Sequence, residues 1–87
     1  MKLSEARILV YLSVAKKRLT YGMKIAAKLK MDYKYCLEVI GMMVEKGWVI
    51  RDSFPIKTYY CLTKKAPLED AKNTILMERK GHNGNKT

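Results

Sequence analysis

The sequence is poor in the residues from which metal sites and most enzyme active sites are built. Its single histidine, His82, stands in the polar stretch "GHNGNKT", and its two cysteines, Cys36 and Cys61, are twenty-five residues apart. A metal site needs such ligands clustered at short spacing, so none is expected. There is no Gly-rich phosphate loop, no Ser-His-acid set, and no pair of carboxylates in an apolar setting. Enzyme chemistry and a bound cofactor are therefore not expected. Long apolar runs are also missing. Stretches such as "ILVYL" are far too short to cross a bilayer, and no membrane association is expected. In "MKLSEARILVYL" the apolar run is interrupted by Glu5 and Arg7, and no small-residue cleavage site follows. The expectation is a soluble, cytoplasmic protein whose cysteines stay reduced and packed.

What the sequence has is positive charge, unevenly placed. Its 87 residues carry a net charge of +10, from 18 Lys and Arg against 8 Asp and Glu. Residues 1–66 hold fourteen of the basic residues and only five of the acids. Between Lys16 and Lys34 seven basic residues face a lone Asp32. A field this concentrated attracts polyanions; the plainer alternative is a Lys-rich surface that keeps a small protein in solution.

Periodicity divides the chain into helices and one hairpin. Leu3, Ala6, Leu9 and Leu12, with Ile8, Tyr11 and Ala15 beside them, predict a helix over about 4–17 capped by Ser4. Its apolar surface is wider than a one-faced helix needs. Thr20 is the expected cap of a second helix, about 21–29, with Ile25, Ala26 and Leu29 inward. Asp32 caps a third, 33–46, whose inward line is Cys36, Ile40 and Met43, with Val39 and Val44 alongside. Gly47 ends it. The period then becomes two: "WVIRD" and "TYYCL" predict a hairpin around "SFPIK", with Val49, Tyr60 and Leu62 inward and Tyr59 and Cys61 outward. A last helix is expected over about 67–79, lined by Leu68, Ala71 and Ile75 and extended by Leu76. The expected domain is 1–80, with 81–87 a disordered tail.

Mainly α with a small β-hairpin, in this order, resembles the winged helix-turn-helix fold: a three-helix core, a wing hairpin and a C-terminal helix. "IAAKLKMD" is similar to the second helix and turn of that family, with Ala26 at the close helix contact and Met31 as the apolar turn residue. "CLEVIGMMVEKGWVI" resembles its recognition helix and the step into the wing, and "YYCLTKKA" the segment that closes the wing. The nearest subfamilies are the MarR-like and PadR-like regulators, the latter for "TYGMKIAAKL". Two features depart from the pattern. Tyr33, Lys34, Tyr35 and Glu38 stand where many members present Ser, Thr, Arg or Gln, and Pro67 disfavours helical geometry at Ala66.

The resemblance implies a transcriptional regulator that binds double-stranded DNA sequence-selectively, with residues 33–46 in the major groove and a wing, 49–62, on the backbone or minor groove. At the front of the third helix, Lys34 can donate to guanine, Leu37 can touch a thymine methyl, Glu38 can accept from cytosine, and Tyr33 and Tyr35 can reach phosphates or bases. Lys24, Lys28 and Lys30 are the expected phosphate contacts of the second helix and turn, and Arg51 and Lys57 those of the wing. Such regulators usually pair, so a homodimer is expected through spare apolar surface at Ile8, Tyr11, Leu68, Ile75 and Leu76. Two other functions fit the same fold. One is a protein-interaction module, for which Trp48, Tyr59, Phe54 and Met42 would supply the surface. The other is an architectural protein that binds any DNA.

Overall fold

The computed structural model describes residues 1–53 and 56–85, with side chains described as far as residue 79. Four helices, α1 (Leu3–Val14), α2 (Gly22–Leu29), α3 (Tyr33–Glu45) and α4 (Leu68–Asn85), pack with a two-stranded sheet, β1 (Val49–Ser53) and β2 (Thr58–Leu62); a 3₁₀ turn, Lys17–Leu19, joins α1 to α2. The strands are antiparallel, with Val49 opposite Leu62 and Ser53 opposite Thr58. Tyr21 adds an isolated bridge to Tyr59, and the Tyr60 N–H donates to Thr20 O, so the entry to α2 lies along the free edge of β2.

The core forms where the inward stripes meet. Ile8 and Leu9 of α1, Ile25 of α2, Cys36, Ile40 and Met43 of α3, and Val49 of β1 are essentially removed from water, and Ala71 of α4 closes the side. Each large apolar side chain so buried contributes about 1.5–3 kcal/mol relative to exposure. The inward line expected for α3 is present in full, with Val39 also buried.

Both helix exits in this region use one device. In α3 the Gly47 N–H donates to Val44 O and the Trp48 N–H to Met43 O, with Gly47 at φ 81°. In α2 the Lys30 N–H donates to Ala27 O and the Met31 N–H to Ala26 O, with Lys30 at φ 55°. These bond pairs satisfy the last carbonyls through a left-handed residue. For glycine that conformation is free, whereas for lysine it costs roughly 1–2 kcal/mol. Urea unfolding should therefore give opposite signs: Gly47→Ala less stable by about 1 kcal/mol, Lys30→Gly more stable by about 0.5 kcal/mol once the looser unfolded chain is counted.

Several expected boundaries move, each for a local reason. The cap of α1 is Lys2, because the Glu5 carboxylate accepts from the Lys2 N–H at 3.0 Å, and Ser4 lies inside the helix. α1 stops at Val14, where Ala15 turns extended, and the Tyr11 hydroxyl then holds the 3₁₀ turn by donating to Leu19 O at 2.7 Å. Thr20 closes that turn through Lys17 O, leaving Tyr21 as the cap of α2. Tyr59 and Cys61 are half-buried, because Tyr21 packs edge-on against Tyr59 and the 3₁₀ turn lies on the same face. Ile8, expected at a subunit interface, is 0% exposed within the chain's own core. Packed into that core, its side chain is not available to a second subunit. α4 continues past Arg79 to Asn85, so residues 81–85 of the expected tail have helical backbone, and 86–87 lie outside the described residues. Gly and Asn lower helix propensity but keep the N–H that proline lacks, so they need not stop a helix.

Glu5 carries a charge into the core margin. Only 4% exposed, it pairs with Lys46 at 3.1 Å, and the same ammonium lies 4.4 Å over the Trp48 ring. The first turn of α1 is thus fastened to the end of α3. Burial alone pushes this carboxyl upward, but the Lys2 N–H and the Lys46 ammonium outweigh it and hold its pKa below the ordinary glutamate value. A carboxyl depressed in the folded state stabilises the fold above its unfolded pKa, about 4.3, and that contribution is lost as pH falls through the lower folded value. Thermal melts between neutral pH and pH 3 should show the wild type losing this increment below about pH 4.3. Glu5→Gln should lie about 1–2 kcal/mol lower at neutral pH and show a shallower acid limb.

Candidate nucleic-acid interface

The front of α3 owes its position to Asp32, whose carboxylate accepts from the Tyr35 N–H at 2.9 Å and fixes where the helix begins. With Cys36, Val39, Ile40 and Met43 turned inward, the opposite stripe is Lys34, Glu38, Met42 and Glu45, all exposed, with Gly41 half-buried among them. Arg51 of β1 reaches this stripe. A side-chain carbon at Gly41 would sit 3.8 Å from the Arg51 Nη2, so the guanidinium lies close to the helix backbone.

Tyr33 and Tyr35 diverge, as residues about 200° apart around a helix must. Tyr35 points to α1, its hydroxyl 3.2 Å from Ser4 Oγ. Tyr33 faces the other way, into a cleft of about 400 Å³ bounded by Tyr21, Gly22, Leu37, Lys57 and Tyr60 among others. Here the start of α2, the start of α3 and the wing converge. A Cβ at Gly22 would fall 2.9 Å from Leu37 Cδ2 and 3.3 Å from Tyr33 Cε1, so the missing side chain is what lets α2 come this close. The Lys57 ammonium sits 3.9 Å over the Tyr21 ring on the cleft wall. No side chain caps α2, and its first residues, Gly22 and Met23, line the same cleft.

Among the described residues the ion pairs are Lys17–Asp52, Lys46–Glu5 and Lys72–Glu69. None uses Lys24, Lys28, Lys30, Lys34, Arg51 or Lys57. Asp52, the acid beside Arg51 in the strand, is taken by Lys17, whose pKa that hydrogen bond raises. Lys28, Lys30 and Lys34 are exposed and Lys24 half-buried on α2. The structure thus joins Tyr33 to Lys57 and Arg51 to the Gly41 turn, sets Tyr35 apart on the α1 side, and leaves Lys24, Lys28 and Lys30 as single projections from α2 and its turn.

Of the apolar groups expected outside, Met42 is 46% exposed, Trp48 and Tyr59 are half-buried, and Phe54 lies outside the described residues. Both cysteines are free; burial pushes the Cys36 thiol up, which favours an inert thiol. The residues that sequence reasoning missed are Tyr21 and Gly22. A tyrosine beside a glycine at a helix start carries no periodic signal, and the meaning of the pair appears only once the wing folds back. No described helix is long and apolar enough to cross a membrane.

By sequence alone no family model and no characterised protein matches the chain. Solved structures do match it. A transcriptional regulator of the MarR family from Rhodococcus sp. RHA1 superposes with a TM-score of 0.75 at 16% identity, over 94% of this chain and 60% of that one. ZitR of Lactococcus lactis, in a structure of the wild type in complex with DNA, gives 0.71 at 18% identity, over 100% of this chain and 62% of that one. A point mutant of ZitR gives 0.67 at 20% identity, over 95% and 56%. The chain therefore spans about three-fifths of the length of the regulators it resembles. Likeness at these identities is a statement about architecture, and the architecture it establishes for this chain is the winged helix-turn-helix.

Proposed function

We propose that the chain is a sequence-selective, double-stranded DNA-binding transcriptional regulator that performs no enzymatic chemistry and works in the cytoplasm. The observation that carries the reading is the cleft where the starts of α2 and α3 meet the wing at Tyr33 and Lys57, together with cations on α2, α3 and the wing that have no acid partner among the described residues. In this reading α3 lies in the major groove, where Lys34 and Glu38 meet base edges and the small Gly41 lets the backbone approach. One phosphate ridge passes through the cleft between α3 and the wing, held by the α2 N–H groups, Tyr33 and Lys57. Lys24, Lys28, Lys30 and Arg51 contact flanking phosphates, and Tyr35 borders the helix on the α1 side. That one structural neighbour, ZitR, is solved in complex with DNA supports DNA as the partner.

Selection from a random duplex library, followed by footprinting, tests this directly. The wild type should enrich one motif, and Lys34→Ala should relax preference at a single base pair while Lys28→Ala weakens all sequences alike. Enrichment of no motif, with equal affinity for every duplex, would favour an architectural DNA-binding protein over a regulator.

We further propose that the chain acts as a homodimer, since two half-sites about 34 Å apart give selectivity that one short helix lacks. The supporting surface is the groove between α1 and α4, about 410 Å³, lined by Leu3, Val10, Tyr11, Leu29 and Ile75. Leu76 beside it is 52% exposed, and Leu68 is half-buried at the start of α4. Sedimentation at micromolar concentration should show a species of twice 10.1 kDa, and Leu76→Glu should shift it toward the monomer.

A further inference from the structure

The wing tip carries an apolar side chain that the fold does not use. Ile56, in the bend that leads into β2, is 94% exposed, the highest value among the exposed large apolar side chains of the described residues. The cation next to it is held back: the Lys57 ammonium rests over the Tyr21 ring on the cleft wall. Of the described residues in the loop between β1 and β2, the one offered most fully to solvent is therefore a branched hydrocarbon with no charge at its end.

If a phosphate ridge runs through the cleft, the wing tip stands at the adjacent minor groove. A hydrocarbon gains nothing from phosphates or from the hydrogen-bond acceptors of the groove floor. It gains by leaving water between base pairs. We infer, resting on the DNA-binding reading above, that Ile56 is a wedge that enters the minor groove and opens one base step, bending the duplex toward the major groove. Side chains used in this way kink DNA by about 20–90°. Opening is easiest at pyrimidine–purine steps such as TA and CA. The wedge thus gives the chain a preference at a position where no hydrogen bond reads the sequence.

The test uses the full chain and short duplexes from the selection above, end-labelled for energy transfer, with 2-aminopurine replacing adenine at successive positions. Wild-type protein should shorten the end-to-end distance and raise 2-aminopurine fluorescence at one step beneath the wing. Ile56→Ala, which removes only exposed atoms and leaves the core intact, should abolish both signals. Its affinity should change by less than about tenfold, because the lost apolar contact and the spared unstacking offset each other. Ile56→Phe should keep both signals, and Lys57→Gln should weaken binding yet leave the bend. Changing the step to AA should reduce wild-type affinity more than that of Ile56→Ala. A duplex that is bound but straight, or a bend that survives Ile56→Ala, overturns the wedge alone. Failure of the wild type to bind any duplex overturns the wedge together with the DNA-binding reading.

Discussion

Lys24→Ala combined with Lys28→Ala is expected to flatten the salt dependence of duplex binding by roughly 2 in the slope of log affinity against log salt, and to do so for every sequence tested. Each phosphate neutralised contributes about −0.9 to that slope. For each bound subunit, five contacts give roughly −4.5, so one subunit's contribution to affinity should fall about 500-fold between 50 and 200 mM salt. With two contacts removed, the fall should be only about 40-fold. The variant should fold normally. Neither lysine has an acid partner among the described residues, and Lys28 is exposed. Fluorescence anisotropy over a salt series measures the slopes, and a thermal melt checks the fold. An unchanged slope would mean that α2 does not face the phosphates.

The second large effect lies on the inner side of α3. Ile40→Ala should destabilise the domain by about 2–5 kcal/mol, since Ile40 is 1% exposed and its removal leaves a cavity among Cys36, Met43 and their neighbours. For a chain of this length total stability is roughly 4–13 kcal/mol, so the loss is a large share of the whole. Val14→Ala, at a position 78% exposed, should change stability by less than about 0.5 kcal/mol. Urea unfolding separates the two. Ile40→Ala should lower DNA binding only through the folded fraction, leaving the salt slope of the folded protein intact. The outer lysines of α2 and the inner line of α3 thus have distinguishable failures, one in charge and one in stability.

α3 was the most legible part of the fold. Its cap, its inward line and its glycine exit each rest on a local rule, and Asp32, Cys36, Ile40, Met43 and Gly47 stand as those rules require. Features that depend on another element were not legible. That Ser4 would meet Tyr35, and that Glu5 would be buried against Lys46, follows from the crossing of α1 over α3, which no spacing within either helix records. Ile8 misled because a wide apolar stripe looks the same whether a neighbouring helix or a second subunit covers it. Lys30 gave no warning either: lysine rarely takes a left-handed backbone, and only the tight turn into α3 requires it here. Within the candidate site the positive charge was visible from composition, but the cleft was not. It exists because Tyr21 bridges to Tyr59 and brings the wing against the start of α2.

A nitrogen-15 chemical-shift titration of the full chain with duplex DNA probes the open face of α3 most directly. The amides of Lys24, Lys28, Lys34, Glu38 and Lys57 should move together as DNA is added, while those of Val14 and Met77, remote from that face, stay in place. Shifts confined to the α1–α4 groove, or no shift at any DNA concentration, would contradict a DNA-reading role for the front of α3.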